Sequence, residues 1–96
     1  MFKILEELVK IIRERRHVSS DQSYTNKLLN DKNLSREKVK EEVEVLIEAV
    51  EESSNQTHEA ADVIYHLMVY LKVNNIKIED VMEELRIRNL NPTKVK

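Results

Sequence analysis

The chain has 96 residues, 41% apolar and 35% charged, with no cysteine, no glycine and one proline. That composition allows one core at most, and it excludes a disulfide scaffold, a thiolate zinc site, a cysteine nucleophile and any Gly-rich phosphate loop. The net charge of −2 conceals a segregation: ten bases against six acids over residues 1–40, eight acids without one base over 41–62, and six bases against four acids over 63–96.

In chain order, residues 2–17 read as an amphipathic helix, because Leu5, Leu8, Val9 and Ile12 recur at i, i+3, i+4 and i+7. His17 to Ser23 is polar and turn-forming, so a loop is expected there. Tyr24 to Leu29 reads as a short helical turn ended by Asn30-Asp31-Lys32-Asn33. Ser35 is placed to cap a helix over roughly 36–52, whose apolar stripe is Val39, Val43, Leu46, Ile47 and Val50. After the short connection 53–56, an antiparallel helix of about 57–73 is apolar on nearly every face. Asn74-Asn75 stands where glycine would end that helix. A last helix of about 78–88 turns Val81, Met82 and Leu85 inward, and the tail from about residue 91 is expected to fray. The expected fold is all-α, a single domain over 1–96 with four to five helices.

A central helix so apolar has more faces than three short neighbours can cover, so a second copy is expected to complete the bundle as a homodimer. No apolar run approaches the ~18 residues of a membrane span, and the acidic start at Glu6-Glu7 does not read as a leader. A soluble, cytoplasmic protein is expected, with no membrane partner. Nucleic acid is disfavoured too, since the bases form no stripe and only four residues are aromatic.

The acidic block carries the chemistry. Eight acids without an internal cation repel one another, and carboxylate oxygens are the ligands of hard divalent ions. Glu59, Asp62 and His66 fall at spacings of three and four on the apolar helix, along one strip. Burying unpaired carboxylates costs several kcal/mol, so the strip requires either an ion-pair partner from elsewhere in the chain or a cation. Glu41 and Glu44 repeat the i, i+3 spacing on the preceding helix, with Glu42 beside them and Glu48 one turn on.

The stretch His58-Glu-Ala-Ala-Asp-Val-Ile-Tyr-His-Leu-Met-Val-Tyr-Leu71 resembles the metal-binding helix of the phosphoribosyl-ATP pyrophosphohydrolases of histidine biosynthesis. Ser23-Tyr24-Thr25 with Lys27-Leu28-Leu29, Lys38-Val39-Lys40-Glu41-Glu42, and Ile76 to Arg88 resemble further blocks of that family, in the same order. The resemblance covers about residues 5–88. It implies the all-α MazG-type fold, a homodimer, and Mg²⁺-dependent (with Mn²⁺ as a substitute) cleavage of phosphoribosyl-ATP to phosphoribosyl-AMP and pyrophosphate. It also implies metal ligands among Glu41, Glu42, Glu44, Glu59 and Asp62, with His66 supporting them. Ser23, Tyr24, Thr25, Lys27, Lys38 (or Lys40) and Arg86 (or Arg88) are then the candidates for binding the phosphates.

The chain departs from the family pattern E-E-x-x-E, because a gapless match puts Val45 where its last glutamate belongs. Shifting by one residue makes Glu41 and Glu44 the ligands, but then Lys38 and Glu42 fall on the core stripe. The Glu41/Glu44 register is favoured here, and it requires the helix to rotate or bulge locally. Two alternatives stay open: a housecleaning pyrophosphohydrolase of the same fold acting on (d)NTPs, and a non-catalytic helical dimer whose metal site has decayed.

Overall fold

The computed structural model describes residues 1–16 and 23–90, which form five α-helices and, among the described residues, no strand. They are α1 (Lys3–Arg15), α2 (Tyr24–Leu29), α3 (Lys32–Glu52), α4 (Gln56–Val73) and α5 (Ile78–Leu90). Most of the loop expected at 17–23 and the tail expected to fray from residue 91 lie outside the described residues.

Local chemistry sets the helix ends. The Ser23 hydroxyl accepts the Asn26 N–H at 3.2 Å and opens α2. Asp31, in extended backbone, accepts the Leu34 N–H at 3.0 Å and opens α3 four residues before the expected start. Ser35 therefore does not cap. It lies inside the helix, 1% exposed, and its hydroxyl has no partner among the described residues. An aspartate in extended backbone supplies the first acceptor as well as a serine does, so the break after α2 shrinks to Asn30 and Asp31.

Lacking glycine, the chain places Ser53, Asn55 and Asn75 in the left-handed region, at φ 54°, 55° and 58°. At two of these turns a backbone N–H reaches back five residues, from Ser54 to the Ala49 carbonyl and from Ile76 to the Leu71 carbonyl, both at 2.9 Å. Each such bond satisfies a carbonyl that the helix end leaves orphaned. The tight turn at Ser53 folds α4 back along α3, the most extensive helix pair of the chain.

The core lies where α1 and α2 meet the C-terminal half of α4: Ile12, Leu28, Leu29, Val69 and Val73 are buried, with Leu8, Leu34, Tyr65 and Met68 against them. The expected stripe on α3 is only half covered. Val39 and Leu46 are partly buried, whereas Val43, Ile47 and Val50 are exposed. The strip of α3 that is shielded instead runs through Ser35, Lys38, Glu42, Val45 and Ala49. On α4, Ile64 and Leu67 are likewise exposed, so one chain covers only part of that apolar helix. A cavity of about 640 Å³ bordered by Phe2, Leu5, Val9, Met68, Ile78 and Met82 lies between α1 and α5, which the Arg13–Glu79 ion pair joins at its edge. The radius of gyration is 14.9 Å, against about 12.5 Å for a closed globule of this length. None of the described helices is long and apolar enough to cross a membrane.

Candidate metal centre

α4 opens at Asn55, whose carbonyl accepts the Glu59 N–H at 3.0 Å. Its first turn and a half therefore presents His58, Glu59 and Asp62 together. His58 Nε2 stands 3.4 Å from Asp62 Oδ2, and one ligand atom from each of the three residues lies within 4.8 Å of the others. Glu59 and Asp62 are half-buried and His58 is exposed. No lysine or arginine meets either carboxylate among the described ion pairs. The pairing with a distant base that two acids on an apolar helix could have required is thus absent among the described residues. Two half-buried carboxylates converging on one turn without a basic partner are a donor pair that fits a hard divalent cation.

On α3, Glu42 is half-buried, with Lys38 one turn before it and Val45 one turn after, both also half-buried. Glu41 and Glu44 are exposed, and Lys38 Nζ lies 3.4 Å from Glu41 Oε2. The helix runs unbroken from Lys32 to Glu52, so the rotation or bulge required to turn Glu41 and Glu44 inward does not occur within one chain. The acid shielded alongside Lys38 and Val45 is Glu42.

Behind this turn, α2 is fastened to α4. His66 is 6% exposed; its Nδ1 lies 2.9 Å from the Asp62 carbonyl and its Nε2 3.1 Å from the Tyr24 hydroxyl. A carbonyl only accepts, so Nδ1 carries a proton and donates it to the residue-62 backbone. In the neutral ring, Nε2 is then free to accept the Tyr24 O–H. Burial pushes the Tyr24 hydroxyl above its ordinary pKa; Lys38 opposes that shift, while Tyr65, Glu42 and Glu41 add to it. Tyr24 therefore keeps its proton through the neutral range and lies within the field of Glu41 and Glu42 of α3. Thr25 is hydrogen-bonded to the Tyr65 hydroxyl, and the Tyr24 and Tyr65 rings stack with centroids 6.5 Å apart. Asn26 completes the junction by donating to the Arg15 and Arg16 carbonyls at 2.7 and 3.1 Å.

The candidate residues thus separate into groups. Glu59 and Asp62 come together with His58, and His66 backs them. Ser23, Tyr24 and Thr25 spend their hydroxyls on the α2 cap and on α4. Lys27 is exposed, and Arg86 lies on α5 with its guanidinium 2.6 Å from Glu83. His58 had no role in the sequence reading, although its i, i+4 spacing to Asp62 was there to be read. Tyr65 was likewise given no role of its own.

A family model described as phosphoribosyl-ATP pyrophosphohydrolase matches residues 5–89. The chain is 40% identical over 87 residues to a phosphoribosyl-ATP pyrophosphatase of Rhizobium etli, covering 88% of this chain and 81% of that protein. To a second enzyme of that name, from Pyrobaculum calidifontis, it is 36% identical, covering 88% of this chain and 94% of the other. A histidine biosynthesis bifunctional protein of Pyrococcus furiosus is 40% identical over 90 residues, and there the match spans 88% of this chain but only 41% of the relative. No solved structure matches the chain.

Proposed function

Since the chain belongs to the phosphoribosyl-ATP pyrophosphohydrolase family, we propose that it cleaves phosphoribosyl-ATP between the α and β phosphates, releasing phosphoribosyl-AMP and pyrophosphate in histidine biosynthesis. The observation that carries the site assignment is the turn Glu59–Asp62: two half-buried carboxylates on an apolar helix that no lysine or arginine neutralises among the described residues. Their cost is met when they hold a divalent cation.

In this reading Glu59 and Asp62 hold Mg²⁺ with Glu42 as the acid from α3, and Glu41 and Glu44 lie beside the site. Bound there, the ion supplies charge neutralisation for phosphoryl oxygens and a water of lowered pKa. The chain's own contribution is positioning. His66 donates to the Asp62 carbonyl and steadies the turn that carries the carboxylate. Tyr24, held protonated, anchors α2 against that turn. Lys38, 3.4 Å from Glu41, is the positive charge on α3 assigned here to the polyphosphate. Phosphoryl-type transfer asks mainly for such positioning and electrostatics, and a chain without cysteine offers no thiol nucleophile.

The working unit is a homodimer in the cytoplasm. Val43, Ile47 and Val50 on α3 and Ile64 and Leu67 on α4 are exposed apolar positions, and a second copy is the partner that such an incomplete bundle calls for. The test is product release from phosphoribosyl-ATP, ATP and a dNTP panel, with and without Mg²⁺. Metal-dependent pyrophosphate from phosphoribosyl-ATP is expected. Orthophosphate release rejects the assignment, and metal-dependent pyrophosphate release with preference for a dNTP replaces it with a housecleaning enzyme.

A further inference from the structure

We propose that His58 is a ligand of the metal site and tilts its preference from Mg²⁺ towards borderline ions such as Co²⁺ and Zn²⁺. The proposal rests on the metal-dependent reading above and concerns a residue that this reading does not need.

The geometry carries it first. His58 Nε2 and Asp62 Oδ2 are 3.4 Å apart, beyond the roughly 2.7–3.2 Å of an N–H···O hydrogen bond. Two donors bound tetrahedrally at about 2.0–2.1 Å from one ion stand about 3.4 Å from each other. The pair thus has the separation of two ligands of one cation, and Glu59 brings a third donor atom within 4.8 Å. Spacing supports the same conclusion. Residues four apart share a helix face, as do the two histidines of the H-E-x-x-H zinc motif, and here His58 and Asp62 take those positions with Glu59 next to the first.

The imidazole is also uncommitted. The His58 side chain is 73% exposed, and among the described residues it makes no hydrogen bond and no ring contact. His66, in contrast, has both ring nitrogens engaged. A ring with no other partner, held beside a carboxylate at ligand spacing, is open to a cation.

Donor chemistry gives the selectivity. Mg²⁺ is a hard ion that favours oxygen ligands and retains several waters. An imidazole nitrogen suits Co²⁺ and Zn²⁺ far better. Removing the nitrogen donor and leaving the carboxylates in place therefore weakens one class of ion selectively.

The experiment measures Co²⁺ and Mg²⁺ binding to the full chain by calorimetry, without substrate, for the wild type and His58→Gln. It is paired with proton NMR of the Co²⁺ forms, in which a coordinated imidazole gives a paramagnetically shifted, solvent-exchangeable N–H resonance. We expect His58→Gln to weaken Co²⁺ at least tenfold, to change Mg²⁺ affinity less than twofold and to abolish the shifted resonance. Equal Co²⁺ affinities, or a resonance that survives the substitution, overturn the role of His58. If Mg²⁺ still binds and pyrophosphate is still released in that case, the enzymatic reading stands. If the wild type binds neither ion, the metal reading and the role of His58 fall together. His58 is exposed in the first turn of α4, and unchanged far-UV circular dichroism establishes that the variant folds.

Discussion

Replacing Glu42 by glutamine tests which acid of α3 serves the site. Glu42 is half-buried on the shielded strip with Lys38 and Val45, whereas Glu44 is exposed. Two unit charges 4 Å apart interact by about 4 kcal/mol at an effective dielectric constant of 20, and a divalent ion increases that figure. The amide keeps the oxygen dipole but loses the charge, so a loss of about 3 kcal/mol in transition-state stabilisation is expected. At about 1.4 kcal/mol per decade this is a fall in kcat/KM of roughly 100-fold. Glu44→Gln removes a solvent-screened charge, and its effect should stay within about twofold. Val45→Glu places a carboxylate one turn beyond Glu42 on the same strip and should tighten Mg²⁺ activation. The assay is the initial rate of pyrophosphate release over a Mg²⁺ titration for the three variants. A silent Glu42→Gln beside a damaging Glu44→Gln would refute the reasoning, since it would mean that the working assembly turns the other face of α3 to the metal.

Asp62→Asn should abolish metal-dependent turnover while leaving the metal-free thermal midpoint unchanged or higher, because it relieves repulsion from Glu59; a fall of several degrees would mark Asp62 as structural. Ser53→Gly should stabilise the fold by about 1 kcal/mol, since φ 54° costs a residue with a Cβ roughly 1–2 kcal/mol and costs glycine little. For a domain of this size that is about 4–8 °C in Tm, read by calorimetry. Sedimentation equilibrium should give about twice the 11.4 kDa chain mass, and Ile47→Glu with Val50→Glu should shift the mass towards one chain. Arg13, 2.7 Å from Glu79, holds that carboxylate below its ordinary pKa. The pair's contribution is therefore present above the unfolded value of about 4.3 and is lost as the pH falls through the lower folded value. Both side chains are largely exposed, so urea midpoints should show a small acid-side loss that disappears in Arg13→Ala and shrinks in high salt.

Much of this protein was legible without coordinates because helical order is local. Apolar spacing placed α1, α3 and α5, turn residues bounded α2, and unbroken apolar character marked α4, although Met82 and Leu85, expected inward on α5, are exposed. A chain without glycine had to use residues such as Asn75 in left-handed turns. The i, i+3 spacing of Glu59 and Asp62 put two acids on one strip of α4 whatever packed around it. The sequence blocks were sufficient to point to the family.

What packs against a helix is decided elsewhere in the chain. α3 carries two apolar edges, Val39 with Leu46 and Val43 with Ile47 and Val50, and either could have faced inward. The packing of α4 and α2 on α3 leaves the strip of Glu42 shielded and Glu41 and Glu44 in solvent. The same holds for α2. Tyr24 and Thr25 read as free hydroxyls until tertiary folding brings His66 and Tyr65, some forty residues away, within hydrogen-bonding distance. A helix's period is set by its own backbone hydrogen bonds, but its rotation about its axis is set by the surfaces it buries, and those belong to other segments of the chain.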